Sequence, residues 1–126
     1  MANLLFGLRG RITRAKFWLV ALVIFVGELM LYTALGGNIA VLIDPPGELP
    51  SIGPFAGTII LAFGLLVMWI LLAVTVKRFH DRDKSGWWVL VVFVPLIGGL
   101  WYLIECGFLR GTDGPNPYGP DPLARY

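Results

Sequence analysis

The chain has 126 residues, enough for one structural unit and too few for two domains with separate cores. Of these residues 57% are hydrophobic and 14% are charged, against roughly 25% charged in soluble domains, which excludes water as the main solvent. A net charge of +2 is too small to imply a nucleic-acid partner, but its uneven distribution carries information.

The first sixteen residues hold Arg9, Arg11, Arg14 and Lys16 and no acid. Each such cation contributes about 1 kcal/mol at an anionic membrane surface. Thr13 is placed to cap the helix that follows. That helix is predicted over 17–35, and at 1.5 Å per residue it reaches about 28 Å, close to a hydrocarbon core. Glu28 interrupts the apolar run, which argues against a cleaved signal peptide.

Gly36, Gly37 and Asn38 are placed to end the first span, and the connection up to Pro54 carries Asp44, Glu48 and no Lys or Arg, as an outside loop does. A second span is predicted over 55–76, without formal charge and with Gly57 and Gly64 as places for close helix approach. The helix is expected to run on through Asp81, paired with Lys77 and Lys84, and to stop at Ser85-Gly86, where Ser85 caps the next helix.

The third apolar run covers 87–109 and contains Pro95 and Gly98-Gly99. Two geometries fit it. A kinked helix that crosses fully places Glu105 near the far headgroups; a hairpin turning at 95–99 returns the tail to the starting side. Crossing is the expected geometry, because a re-entrant turn must be covered by protein and two spans supply little cover. The charge count leans the other way, since a hairpin places all ten cations on one side. The tail, 110–126, is a series of Pro and Gly turns that is ordered only if it docks. The fold class is therefore all-α integral membrane, one domain over 1–126 with three transmembrane helices, the third kinked or re-entrant. The N-terminus is expected to be cytoplasmic.

Glu28 is the sharpest single candidate, because an acid within a span belongs against other helices or water. Its bland role is a hydrogen bond to Thr58, Thr75 or Tyr32; its sharper one is proton or ion handling. The stretch 77–88 holds four of the ten Lys and Arg and the only histidine. His80, Asp81 and Asp83 there could do acid–base work, but they match no metal motif, and Arg78, Arg82 and Lys84 compete for the carboxylates. Glu105 completes the candidate acids. Arg9, Arg11, Arg14, Lys16, Arg78, Arg82 and Lys84 are expected to contact anionic lipid or a protein partner. Cys106, the single cysteine, excludes an internal disulfide and reads as a packing residue. No catalytic set, metal site or cofactor motif is present in the sequence.

Five motifs, taken in order, carry a family resemblance. They are Gly10-Arg11-Ile12-Thr13-Arg14 with Phe17-Trp18, Arg78-Phe79-His80-Asp81 with Ser85-Gly86-Trp87-Trp88, Pro95-Leu96-Ile97-Gly98, Gly111-Thr112, and Gly114-Pro115-Asn116-Pro117-Tyr118-Gly119-Pro120-Asp121-Pro122. Together they resemble the small bacterial inner-membrane proteins grouped as domain of unknown function 805. The family usually has a basic or polar residue where this chain has Pro117. The resemblance implies a multi-pass inner-membrane protein and no particular activity. The residues favour a non-enzymatic scaffold or accessory subunit, with a homo-oligomer or a protein partner among the expectations, over a small transporter built on Glu28 or an enzyme acting on a lipid-linked substrate.

Overall fold

The structure is a computed structural model that describes residues 5–35 and 53–124. Two long helices form its frame, α1 over Arg14–Ala34 and α2 over Pro54–Asp81. Thr13 caps α1 as expected, its side chain accepting from the Lys16 N–H at 3.3 Å. Pro54 opens α2, where its missing N–H costs nothing. The 28 residues of α2 reach about 42 Å, so its last turns stand clear of a 30 Å hydrocarbon core. Both helices are long and apolar enough to span a membrane, and their outward faces expose large apolar side chains to lipid.

The third run does not cross. A 3₁₀ helix over Gly86–Phe93 leads away from the end of α2, the chain turns at Val94-Pro95-Leu96, and α3, Ile97–Phe108, returns. The arms approach so closely that a Cβ at Gly98 would lie 2.0 Å from the Val91 carbonyl oxygen. Glycine here permits arm contact rather than a helix kink. Glu105, expected near the far headgroups, instead pairs with Arg82 and Lys84 at the end from which the hairpin starts. Hairpin geometry wins because the polar groups at both ends of the run satisfy one another, which full crossing would forbid.

The last turns of α3, Leu103–Phe108, widen into a π-helix. Gly107 is needed there, since a Cβ would lie 2.8 Å from the Trp18 ring. The core sits at this same end of the bundle and contains Ile12, Phe17, Val20, Val74, Phe79 and Cys106. Phe17 meets Tyr102 edge-on at 6.1 Å, and the Thr75 hydroxyl pairs with the Tyr102 hydroxyl at 3.0 Å. Gly57 and Gly64 make no close approach to described residues; Gly27 of α1 does, with its Cβ position 3.9 Å from Phe63. The expected cap at 36–38 lies outside the described residues.

At the C-terminus of α2 the chain leaves through a left-handed residue. Asp83 has φ 56°, its N–H donates to His80 O at 3.0 Å, and the Lys84 N–H donates to Phe79 O at 2.9 Å. This is the paired-bond helix stop that glycine usually supplies. Asp83→Gly removes the Cβ penalty of that conformation and should stabilise the protein by about 0.5–1 kcal/mol, read as a higher thermal unfolding midpoint in detergent.

Candidate functional site

The polar residues converge at one end of the bundle. Asp81, at the last turn of α2, is held from two directions: Arg11 Nε donates to its Oδ1 at 3.0 Å, and Arg78 Nη1 donates to Oδ2. The three side chains are 4%, 1% and 0% exposed for Asp81, Arg11 and Arg78. Such burial is tolerable only when each remaining N–H also finds a partner. Arg11 donates onward to Gly114 O at 2.7 Å and Thr112 O at 2.6 Å. Arg78 donates to Cys106 O at 2.8 Å and to Leu109 O.

The π-helical end of α3 supplies the acceptors for Arg78. Cys106, Gly107, Phe108 and Leu109 present their carbonyls to Arg78, Trp18, Arg14 and Arg78 again. Carbonyls orphaned at a helix C-terminus are thus taken by cationic and indole donors, where the helix dipole also favours positive charge.

The tail docks on the same point. Thr112 N donates to Asp81 O at 2.8 Å, Asn116 Nδ2 donates to His80 O at 2.8 Å, and the Tyr118 ring stacks flat on His80 with centroids 4.0 Å apart. His80 Nδ1 lies 3.3 Å from Gly10 O. A Cβ at Gly111 would fall 2.1 Å from Asp81 Oδ2, so no other residue allows this approach. Asp121 orders the tail within itself by accepting from Leu123 N at 2.8 Å and Gly114 N at 3.1 Å, and these bonds hold its pKa below the usual carboxylate value of 3.8.

The sequence candidates therefore separate. Arg11 and Arg78, expected to face lipid or a partner, are enclosed, because Asp81 and the carbonyls solvate them better than a headgroup at their depth would. Asp81 pairs with these arginines rather than in the expected pairs with Lys77 and Lys84. Arg82 and Lys84 share Glu105, and the Lys84 ammonium also lies 4.9 Å from the Trp88 ring centre and 5.3 Å from that of Trp101. Asp83 is exposed and serves the helix stop. Arg9, Arg14 and Lys16 remain at the surface. Glu28 stands apart, exposed and 14 residues along α1 from Arg14. The bonds expected from it to Thr58 and Thr75 do not form, since Thr58 donates to Pro54 O and Thr75 pairs with Tyr102. Among the described residues no group of three or more His, Cys, Asp or Glu side chains is arranged to hold a metal ion.

Gly10-Arg11, Arg78 to Asp81, Gly111-Thr112 and the turns from Gly114 to Asp121 thus form a single contact network although its hydrogen-bonded residues are up to 108 positions apart. A family model described as protein of unknown function (DUF805) matches residues 5–120. The chain belongs to this family. It is 37% identical over 119 residues to inner membrane protein YhaH of Escherichia coli strain K12, a match covering 92% of this chain and 87% of the relative. Inner membrane protein YhaI of that strain is 34% identical over 118 residues, covering 92% and 86%. Uncharacterized protein YiiR of that strain is 32% identical over 142 residues, covering 93% and 86%. No solved structure matches the chain.

Two variants test the network. Asp81→Asn leaves two buried arginines without their shared negative charge and should cost about 3–5 kcal/mol, whereas Asp113→Asn, in an exposed pair with Arg110, should cost under about 1 kcal/mol; unfolding in detergent separates the two. In the tail, the bound form of Asp121 is the ionised one. Its contribution is complete above the ordinary value of 3.8 and is lost as pH falls through the lower folded value. The Gly114 amide resonance should titrate in that acid window, and in Asp121→Asn it should not.

Proposed function

We propose that the chain is a non-enzymatic scaffold or accessory subunit of the bacterial inner membrane, presenting a rigid cationic face to the cytoplasm. One observation carries the reading: the residues best suited to chemistry are used to lock the tail and the N-terminal segment onto α2. Asp81 is bound by two arginines, His80 is stacked on Tyr118, Asp83 ends a helix, and Glu105 is paired twice. Such a plate holds its shape and offers Arg9, Arg14, Lys16 and Arg110 outward. Four exposed cations at a membrane surface suit anionic headgroups or an acidic protein partner.

Orientation follows from the same network. The nine Lys and Arg among the described residues all lie in the segments that it ties together at one end. The excess of Lys and Arg supports a cytoplasmic placement of that end, with the N-terminus and the tail on the same side. In a Cys106→Ala background, a cysteine at Asp113 should react with an impermeant thiol reagent only after the membrane is opened; labelling of intact cells would reverse the assignment. Pull-down from native membranes should then recover a protein or an enriched anionic lipid, and the recovery should fall when Arg9, Arg14 and Lys16 are changed together to Gln. Repeated recovery of neither refutes the scaffold reading.

A further inference from the structure

Two features at mid-membrane depth have no counterpart within the described fold. The first is the hairpin turn. Leu96 is 98% exposed with φ 67°, Phe93 is 80% exposed, and the Leu96 N–H donates no hydrogen bond to the described residues. Irregular backbone at this depth is stable only when buried in protein or lining a water-filled cavity.

The second is Glu28. Phe17, Val20 and Ile24 form the stripe by which α1 joins the core, and Glu28 is the next position on it, one turn beyond Ile24. Its side chain is exposed and makes no ion pair or hydrogen bond with the described residues.

The two features share a depth. Glu28 lies about 21 Å along α1 from Arg14. Arg14 bonds the Phe108 carbonyl, and Ile97, where α3 begins, lies about 14–15 Å further in from Phe108, since the π-helical turn rises less per residue than an α-helix. The difference is a little over one helical turn, which the length of a glutamate side chain spans. An acceptor and a backbone donor that hydrocarbon cannot solvate are thus exposed at one level, on the side of α1 that faces the hairpin.

We propose that a second copy of this chain covers both, in a two-fold dimer whose axis is normal to the membrane. Such an axis keeps every residue at its own depth in both copies, so Glu28 of each protomer meets the Leu96 turn of the other. The Glu28 carboxyl accepts from the Leu96 N–H across the interface, and the bond is made twice. The exposed Phe93, Leu96 and Ile97 side chains fill the space around it. A different membrane protein would need its own matched acceptor and donor; this chain carries both halves already. The contact is independent of which side of the membrane the charged end faces, so it stands or falls separately from the orientation above.

Disulfide trapping in native membranes tests it. Two differently tagged copies, both Cys106→Ala, are co-expressed, one with Glu28→Cys and one with Leu96→Cys, and oxidised with iodine. The expected result is a cross-linked dimer carrying both tags. Leu65→Cys replaces Glu28→Cys as the control: it lies two residues, about 200°, around α2 from Phe63, the residue that meets α1. Its yield should be at least about tenfold lower, because a lipid-facing position meets the turn only by random collision. Equal yields, absence of the dimer, or an adduct formed only with another protein overturn the proposal. Since cysteine at position 28 removes the acceptor, self-association is also read by single-molecule photobleaching in vesicles. Glu28→Gln keeps an acceptor and should dimerise as the parent does, while Glu28→Leu should weaken the dimer by about tenfold or more. A Glu28→Leu dimer as tight as the parent overturns it as well.

Discussion

The Asp81 carboxylate organises the molecule. It is buried beside two guanidinium groups, and desolvating three charges is unfavourable unless every donor and acceptor is satisfied. That requirement reaches in three directions. Arg78 fixes the end of α3 through two of its carbonyls, Arg11 fixes the tail through two more, and the Asp81 backbone carbonyl accepts from Thr112. Apolar packing between three short contacts of helix could slide along its length; a shared carboxylate cannot, so the network sets the register in which the bundle packs.

The fold was legible where physics acts locally. Hydropathy and length mark both long helices, the Thr13 cap follows from its side-chain oxygen, and the Ser85 cap from its own, which accepts from the Trp87 N–H at 3.4 Å. Charge counting also leaned toward the hairpin. What weighed against it was the need for cover at the turn, a consideration that belongs to the assembly and not to a single chain. The π-helical end of α3 has no sequence signal of its own; it depends on carbonyls being claimed by Arg78, Arg14 and Trp18, residues from two other elements.

The site was legible as a set of residues and not as an arrangement. Basic residues near a membrane face ordinarily suggest lipid, and residue type does not distinguish Arg11 from Arg9. The difference is that Arg11 follows Gly10, whose φ of 93° turns the chain toward α2. Gly111 is similar: its lack of a side chain matters only because Asp81 occupies the place where one would be. Tyr118 and Asn116 sit in a turn-rich tail whose order comes from docking, so their partners His80 and Thr112 could not be read from spacing. The tail motifs and the Arg78–Asp81 motif nevertheless belong to one family pattern, and the structure supplies the reason: they are two sides of one contact.

The span of the Arg11 contacts also constrains when the fold can close. Asp81 follows Arg11 by 70 positions, and Thr112 and Gly114 follow it by more than 100. Until then the Arg11 guanidinium must remain solvated elsewhere, at the headgroups or in water. The enclosed ion network is therefore completed only after residues 111–121 have left the ribosome. A nascent chain arrested before that point has its two long helices but lacks the latch that joins Arg11 to the 111–121 turns.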